Sequence, residues 1–318
     1  LLDLGKFMSK KYLCPLIYAY QAMLPKALKA NHKVNGKIKY QTYVSLNDKA
    51  NYDDIKIRSQ LEIIKLLKEE KEVLKSTIKS KSSLKKLVDH GIVTEFKKEV
   101  YRDVFYDDEK KAVTLNKDQQ MAVEKIINNF NKEKTMLLYG VTGSGKTEVY
   151  IDVVKNALKL GKSAIILVPE ISLTPQITSR FKSVFKESIA ILHSSLSDGQ
   201  RYDEFRRIIK GEVRVVIGAR SAIFAPLKDI GVIIIDEEHS ESYKQENNPR
   251  YNTLDIATRR SFYHKCPVIL GSATPTIESY ARAKKGYYDY IELSKRVNEK
   301  PLPKVTIVDM KSEIKKGN

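Results

Sequence analysis

Gly140-Val141-Thr142-Gly143-Ser144-Gly145-Lys146-Thr147 is the stretch that decides the fold of this chain. An apolar run, residues 136–139, precedes it, and residues 148–154 continue it with the spacing of a helix. A strand, a glycine-rich turn and a helix in this order form a phosphate-binding loop. The glycines let successive backbone N–H groups converge on phosphate oxygens, and the helix adds the positive end of its dipole. The stretch therefore predicts a nucleoside triphosphate site.

Two side chains at the end of this loop have specific predicted roles. Lys146 can reach the β- and γ-phosphates of ATP, and the Thr147 hydroxyl can coordinate Mg²⁺. The cofactors expected from the loop are therefore ATP and Mg²⁺. The predicted ATP-binding residues of the loop are Gly140, Thr142, Gly143, Ser144, Gly145, Lys146 and Thr147.

A second decisive stretch is residues 231–239, where an apolar strand ends in adjacent carboxylates. Asp236 is placed to hold Mg²⁺, directly or through a water molecule. Glu237 can orient and deprotonate the attacking water. Phosphoryl transfer depends mostly on positioning and charge stabilisation. The predicted catalytic residues are therefore Lys146, Thr147, Asp236 and Glu237, with Thr147 and Asp236 as the metal ligands.

The composition narrows the class of protein. The net charge is +18, which favours a polyanionic partner, although a lysine-rich proteome would give the same excess. No apolar run approaches the roughly 20 residues that span a bilayer, and no signal-peptide pattern is present. The two cysteines are far apart, which excludes a disulfide framework and a CxxC zinc site within the chain. A cytoplasmic protein that is not bound to a membrane is expected.

The chain is long enough for about two or three domains. Residues 1–34 are predicted to end an amino-terminal domain and its linker, and residues 35–106 to form a winged helix. Residues 107–300 are predicted to form an α/β lobe, and residues 301–318 to begin a further lobe. Because the chain does not start with Met, it is expected to be part of a longer protein.

The winged helix is predicted from three helical patches, at residues 57–70, 73–78 and 82–88, followed by two segments that alternate like strands, residues 92–96 and 99–105. Three helices and a two-stranded ribbon are typical of this helix-turn-helix variant. The alternative is a spacer or a protein contact with the same pattern. The lysines expected to face nucleic acid are Lys79, Lys81, Lys85 and Lys86.

Beyond residue 111, short apolar strands alternate with helical segments. Nearly continuous runs of Val, Ile and Leu are typical of parallel strands that are covered on both faces. The fold class predicted for this region is doubly wound α/β, with ligands at the carboxyl ends of the strands.

Four stretches in order resemble the first motor lobe of helicase superfamily 2, which has a RecA-like fold. They are residues 115–119, which include Gln119, the phosphate loop, residues 236–239, and Gly271-Ser272-Ala273-Thr274-Pro275. The resemblance implies that Gln119 contacts the adenine edge of ATP. It also implies that a second set of residues couples the nucleotide state to DNA contact. These are His239, Ser272, Ala273 and Thr274.

The resemblance is more specific to the family of primosomal replication-restart DNA helicases. It is carried by residues 140–150, 168–176 (Val-Pro-Glu-Ile-Ser-Leu-Thr-Pro-Gln), 218–226 (Gly-Ala-Arg-Ser-Ala-Ile-Phe-Ala-Pro) and 236–251. The family implies an ATP-driven 3′-to-5′ helicase that binds stalled or abandoned forks and initiates primosome assembly. A monomer is expected. The implied partners are single-stranded and forked DNA, single-strand binding protein and helicase-loader proteins.

The family also implies a DNA path across this lobe. An aromatic-rich loop would sense single-stranded DNA by stacking its rings on bases, and nearby groups would hold phosphates. The residues implied as DNA-binding are Ser172, Thr174, Arg220, Tyr243, Lys244, Gln245 and Tyr251.

The chain departs from the family in two respects. Thr253-Leu254-Asp255 stands where the family usually has Ala-Arg-Asp, so a basic contact is either lost or supplied by Arg259 or Arg260. The second motor lobe, with its arginine finger and zinc insertion, is not found in these 318 residues. The chain by itself is therefore expected to bind ATP weakly and hydrolyse almost none. The alternatives are another superfamily 2 translocase or branch-migration helicase, and a non-catalytic fork-binding module.

Overall fold

The computed structural model describes residues 1–25, 28–29, 38–102 and 114–296. These residues form two compact units. The larger contains residues 1–23, 114–194 and 208–296, and the smaller contains residues 24–25, 28–29, 38–102 and 195–207. The predicted linker at residues 107–111 and the predicted start of a further lobe at residues 301–318 lie outside the described residues.

The larger unit is built on a seven-stranded parallel sheet. Its elements are α1 (Leu2–Lys11), α2 (Leu16–Met23), α5 (Lys117–Ile127), β4 (Thr135–Gly140), α6 (Lys146–Lys159), β5 (Ser163–Leu167), α7 (Pro175–Phe185), β6 (Ile189–Leu192), the end of α8 (Asp198–Lys210), β7 (Val215–Gly218), β8 (Ile230–Asp236), α9 (Thr253–His264), β9 (Val268–Ser272), α10 (Ile277–Lys284) and β10 (Asp289–Leu293). The smaller unit contains β1 (Lys39–Leu46), α3 (Arg58–Glu70), β2 (Glu72–Leu74), α4 (Lys81–Asp89), β3 (Val93–Val100) and the start of α8.

The strands of the large sheet follow the order β10-β4-β9-β8-β5-β7-β6. Alternate residues of each strand enter two separate hydrophobic clusters, so that Leu137 lies in one and Met136 and Leu138 lie in the other. Apolar side chains on both faces explain the nearly continuous apolar runs in the sequence. The predicted α/β class with a parallel sheet is confirmed.

This strand order brings three functional stretches together. β9 pairs with β4 on one side and with β8 on the other. The phosphate loop follows β4, the paired carboxylates end β8, and Ser272 ends β9. Because parallel strands share one carboxyl edge, the three stretches lie at the same edge of the sheet.

The helices α1 and α2 pack with the larger unit. Leu4, Met8 and Met23 are buried in the same cluster as one face of the parallel sheet. The Tyr12 hydroxyl donates to Oδ2 of Asp255 at 2.7 Å. This grouping differs from the predicted boundary, which assigned residues 1–34 to the end of a separate domain.

The smaller unit has an antiparallel sheet of order β2-β1-β3, packed against α3 and α4. The predicted two-stranded ribbon after the third helix is wrong. The alternating residues form one long strand, β3, whose eight residues pair with β1. The second predicted helix is also wrong, since its residues form β2 and a short 3₁₀ turn, Lys75–Thr77. A sequence pattern shows that a strand is half-buried, but it does not show which distant strand pairs with it.

Lys79, Lys81, Lys85 and Lys86 are exposed on and just before α4. Their contact with nucleic acid stays a prediction. No helix within the described ranges is both long enough and apolar enough to cross a membrane.

Candidate functional site

The phosphate loop joins β4 to α6 and leaves the start of that helix uncapped by any side chain. Gly143 and Gly145 both have φ of +82°, a left-handed conformation that glycine adopts without the strain of a Cβ. Lys146 is buried, and its Nζ donates to the carbonyl oxygen of Gly140 at 2.8 Å. The ammonium group therefore folds back over the loop.

The residues of the loop fit a polyphosphate. The Ser144 hydroxyl is buried and has no hydrogen-bond partner among the described residues. A Cβ on Gly140 would lie only 2.6 Å from this oxygen, so the glycine makes room for it. An unpaired hydroxyl, a buried ammonium group and the positive end of α6 together attract an anion. This part of the site supports the predicted ATP-binding residues, whose individual contacts stay predictions.

Gln119 lies beneath the loop and has a role that the sequence analysis did not predict. Its Oε1 accepts the backbone N–H of Asn116 at 2.9 Å, which completes a capping box at the start of α5. Its Nε2 donates to the carbonyl oxygen of Ser144 at 3.0 Å. Each end of the amide makes a hydrogen bond and the side chain is buried, so that Gln119 ties α5 to the phosphate loop in this structure. The implied contact with adenine stays a prediction.

The acidic pair lies at the end of β8, beside the loop. The hydroxyl of Tyr150, on α6, donates to Oδ1 of Asp236 at 2.8 Å. Burial raises the pKa of Asp236, while the hydrogen bond from Tyr150 and the charge of Lys146 act in the opposite direction. Glu237 follows in a left-handed conformation, with φ of +46°, and its side chain remains partly exposed. Asp236 is thus the enclosed carboxylate and Glu237 the accessible one.

Thr147 and Asp236 also fit the predicted Mg²⁺ site. Within the described ranges, no three His, Cys, Asp or Glu side chains cluster as a complete metal cage. Mg²⁺ at phosphate sites commonly takes one or two protein oxygens and completes its shell with phosphate and water. A hydroxyl and a carboxylate are the oxygen donors that this ion prefers.

Three of the four residues implied in coupling form one polar contact between β8 and β9. Nδ1 of His239 lies 2.9 Å from Oγ of Ser272, which is fully buried. The same Oγ accepts the backbone N–H of Thr274 at 3.0 Å. Ala273, between them, is half-buried, and its methyl side chain has no polar atom to join this contact. Nδ1 of His239 also lies 3.6 Å from Oε2 of Glu237. His239 thus lies between Glu237 of the acidic pair and Ser272 on β9.

Glu238 is a site residue that sequence reasoning missed. Its Oε1 accepts the backbone N–H of Thr276 at 2.7 Å, and its Oε2 accepts the hydroxyl of Ser279 at 3.1 Å. It therefore holds the N-cap residue Thr276 and the first turn of α10, which follows the Ser272 stretch. The available signal was a third consecutive acid with no assigned chemistry.

Tyr243 and Tyr251 are buried, with 5% and 3% of their surfaces exposed. Both rings lie within the fold of this structure, and the implied stacking on nucleotide bases stays a prediction. The Tyr243 hydroxyl donates to the backbone carbonyl of Asp236 at 2.6 Å. Burial raises the pKa of Tyr243, and it raises that of Tyr251 to about 12. The loop thus contacts Asp236 from within the fold.

Arg220 holds this loop from the other side. Its Nη1 donates to the carbonyl oxygens of Ser242 at 2.9 Å and Lys244 at 2.5 Å. Its guanidinium carbon lies 5.9 Å from the centre of the Tyr251 ring. The Lys244 side chain is exposed and that of Gln245 is partly buried. DNA contacts of these residues stay predictions, and Arg220 would have to give up loop carbonyls to take a phosphate.

Arg260 is excluded as the substitute for the basic residue that Leu254 replaces. It is buried, and its Nη1 donates to the carbonyl oxygens of Ile223 and Ala225. Burial lowers its pKa to about 10. The guanidinium of Arg260 thus supports the fold. The other candidate, Arg259, lies over the rings of Phe262 and Tyr263, at 5.0 and 4.6 Å from their centres.

Ser172 and Thr174 lie in the loop between β5 and α7. Thr174 is the N-cap of α7, and its Oγ1 accepts the backbone N–H of Ile177 at 3.4 Å. Ser172 is partly buried and Thr174 is exposed. Their position at the carboxyl edge of the sheet agrees with a phosphate contact, which stays a prediction.

Comparison with known proteins gives concordant matches. The model of the DEAD/DEAH box helicases matches residues 116–283. The replication restart protein PriA of Bacillus subtilis (strain 168) is 50% identical over 252 residues, which are 78% of this chain and 31% of that protein. PriA of Synechocystis sp. (strain ATCC 27184 / PCC 6803 / Kazusa) is 48% identical over 163 residues, which are 50% of this chain and 20% of that protein. The chain thus spans less than a third of the length of these two relatives. A solved structure of RecG bound to a three-way DNA junction is 22% identical, with a TM-score of 0.43, and covers 58% of this chain and 24% of that one.

Proposed function

Since the chain belongs to the DEAD/DEAH box helicase family, we propose that it forms the first motor lobe of an ATP-dependent 3′-to-5′ DNA helicase that restarts replication. The observation that carries the proposal is the meeting of three stretches at one edge of the sheet. The phosphate loop, the acidic pair and the Ser272 stretch follow three adjacent strands. The 50% identity to the Bacillus subtilis replication restart protein favours replication restart over other helicase roles.

In this proposal, each residue of the site has a separate role in ATP hydrolysis. Lys146 leaves the Gly140 carbonyl and neutralises the β- and γ-phosphates, while Thr147 and Asp236 hold Mg²⁺. Mg²⁺, when bound, supplies further neutralisation of the phosphates. Glu237 accepts a hydrogen bond from the attacking water and takes its proton. The contact of His239 with Ser272 relays a change at this pair to β9 and α10.

The proposed partners follow from the same proposal. Single-stranded and forked DNA would cross the carboxyl edge of the sheet near Thr174, Arg220 and Lys244. Single-strand binding protein and helicase-loader proteins stay predicted partners, and so do the monomeric state and the cytoplasmic, nucleoid-associated location. A zinc site is predicted only for the second lobe of the family.

Unwinding of defined substrates tests the proposal. The full-length protein is expected to unwind a 3′-tailed duplex and a fork with a leading-strand 3′ end at the junction, and to require ATP and Mg²⁺ for both. A 5′-tailed duplex of the same sequence is the control. Preference for the 5′ tail would overturn the direction. Equal activity on forks with and without the leading strand would favour another translocase, and binding without unwinding would favour a fork-binding module.

The activity of the 318 residues alone is a separate prediction. We expect weak ATP binding and almost no hydrolysis, because an arginine finger contributes about 10³–10⁵ in rate in related NTPases. Phosphate release is measured with and without single-stranded DNA. Robust DNA-stimulated hydrolysis by the isolated chain would contradict this prediction.

A further inference from the structure

Tyr150 occupies a position at the site that no predicted role explains. It lies on α6 three residues after Thr147, so the two are neighbours along one side of the helix. Its side chain is 2% exposed, and its hydroxyl donates to Oδ1 of Asp236 at 2.8 Å. The hydrogen bond joins the helix of the phosphate loop to the acid at the end of β8.

Gly271 makes this contact possible. A Cβ on Gly271 would lie 1.6 Å from the Tyr150 hydroxyl and 3.2 Å from Oδ1 of Asp236. The hydroxyl therefore occupies the space that any other residue on β9 would fill with its side chain. Gly271 is also the residue beside Asp236 in the pairing of β8 with β9. The elements α6, β8 and β9 thus all pack around the hydrogen bond between Tyr150 and Asp236.

We propose that Tyr150 is a positioning residue that fixes the Asp236 carboxylate for the binding of magnesium–nucleotide. The proposal rests on the proposed function, because it takes Asp236 as the residue that holds Mg²⁺.

The physical reason is the freedom of a carboxylate. Rotation about the last bond of an aspartate is broad and weakly restricted. A hydrogen bond to one oxygen fixes the plane of the group, so the orientation of its other lone pairs is set before a cation arrives. Such supporting contacts commonly change metal affinity by about 10–100-fold when they are removed. Tyr243 adds to the restraint, because it holds the backbone carbonyl of the same residue at 2.6 Å.

If the role of Tyr150 were purely structural, a different result would be expected. A buried tyrosine hydroxyl needs an acceptor, and Asp236 could serve only for that purpose. In that case, loss of the hydroxyl would lower the stability of the fold. Any change in nucleotide affinity would then be the same with and without Mg²⁺. Positioning requires the effect to appear only when Mg²⁺ is present.

Tyr150→Phe in the full-length protein tests this difference. The affinity for N-methylanthraniloyl-ATP is measured by fluorescence titration, once with Mg²⁺ and once with EDTA. We expect the gain in affinity that Mg²⁺ provides to fall by about tenfold, while the affinity in EDTA stays unchanged. A higher Mg²⁺ concentration should restore binding. An equal loss under both conditions, or no loss, would overturn the proposal.

Two further variants sharpen the result. Tyr139→Phe is the control, since Tyr139 lies on β4 just before the loop and its ring stacks on Tyr290. It should retain the full gain from Mg²⁺. Gly271→Ala should reduce that gain as Tyr150→Phe does, and its effect should be smaller in the Tyr150→Phe background, because the clashing oxygen is gone. Independent effects of the two substitutions would count against the proposed packing.

The same titration separates the inference from the proposed function. If Mg²⁺ gives no gain in the unsubstituted protein, the proposed function and the inference both fail. If the gain is present and Tyr150→Phe leaves it intact, only the inference fails.

Discussion

Lys146→Ala is expected to lower ATP hydrolysis by the full-length protein by about 10²–10³-fold or more, as loss of one charge-stabilising group does at other sites. The ammonium group is buried against Gly140 in this structure and is the cation of the phosphate loop. Without it, the charge that develops on the phosphates has no fixed positive partner. Steady-state phosphate release in the presence of single-stranded DNA measures the effect.

DNA binding should survive this substitution, because Lys146 is buried within the loop. Lys155→Ala is the matched control, since Lys155 lies on the exposed side of the same helix and should leave hydrolysis unchanged. Hydrolysis that persists in Lys146→Ala, or a loss of DNA binding equal to the loss of hydrolysis, would contradict the assignment.

Glu237→Gln is expected to lower hydrolysis by about 10²–10⁴-fold, the usual contribution of a general base. Glutamine keeps the shape of the side chain but cannot accept the proton of the attacking water. ATP affinity should be retained, because Glu237 is the accessible carboxylate and Asp236 the one assigned to Mg²⁺. Single-turnover hydrolysis and nucleotide titration separate the two effects.

Glu241→Gln provides the control for this second prediction. Glu241 is exposed in the short turn that follows His239, and its charge is of the same kind. The Glu241→Gln protein should hydrolyse ATP at the rate of the unsubstituted protein. A Glu237→Gln protein that loses ATP affinity along with hydrolysis would instead indicate a role in nucleotide binding.

The prediction of the sheet succeeded because its signals are local. Six of the seven strands of the larger unit are short runs rich in apolar residues, and most of their residues are buried in the structure. The seventh, the edge strand β10, has an Asp and a Glu among its five residues, is only partly buried, and was not predicted. The smaller unit was predicted less well. The pairing of β1 with β3 runs from Leu46 with Val93, 47 positions apart, to Lys39 with Val100, 61 positions apart. An alternating pattern is equally compatible with a hairpin and with a distant partner.

The residues of the candidate site also differ in how far the sequence could predict them. The phosphate loop could be predicted because its chemistry needs fixed residue types at consecutive positions. The burial of Tyr243 and Tyr251 could not be predicted, because tyrosine suits both an exposed stacking surface and a buried position with a bonded hydroxyl. The capping box of Gln119 could not be predicted for a similar reason, since its amide can bind an adenine or close a capping box.

The sequence by itself determined a parallel α/β lobe with a phosphate loop at residues 140–147 and an acidic pair, Asp236 and Glu237. Those features depend on residue type and on short-range spacing. Only the tertiary structure decided how Asp236 is held, because its hydrogen-bond partner Tyr150 lies 86 residues away and meets it only when α6 packs on the sheet beside Gly271. Contacts of this kind are set by the packing of whole elements, which local patterns do not specify.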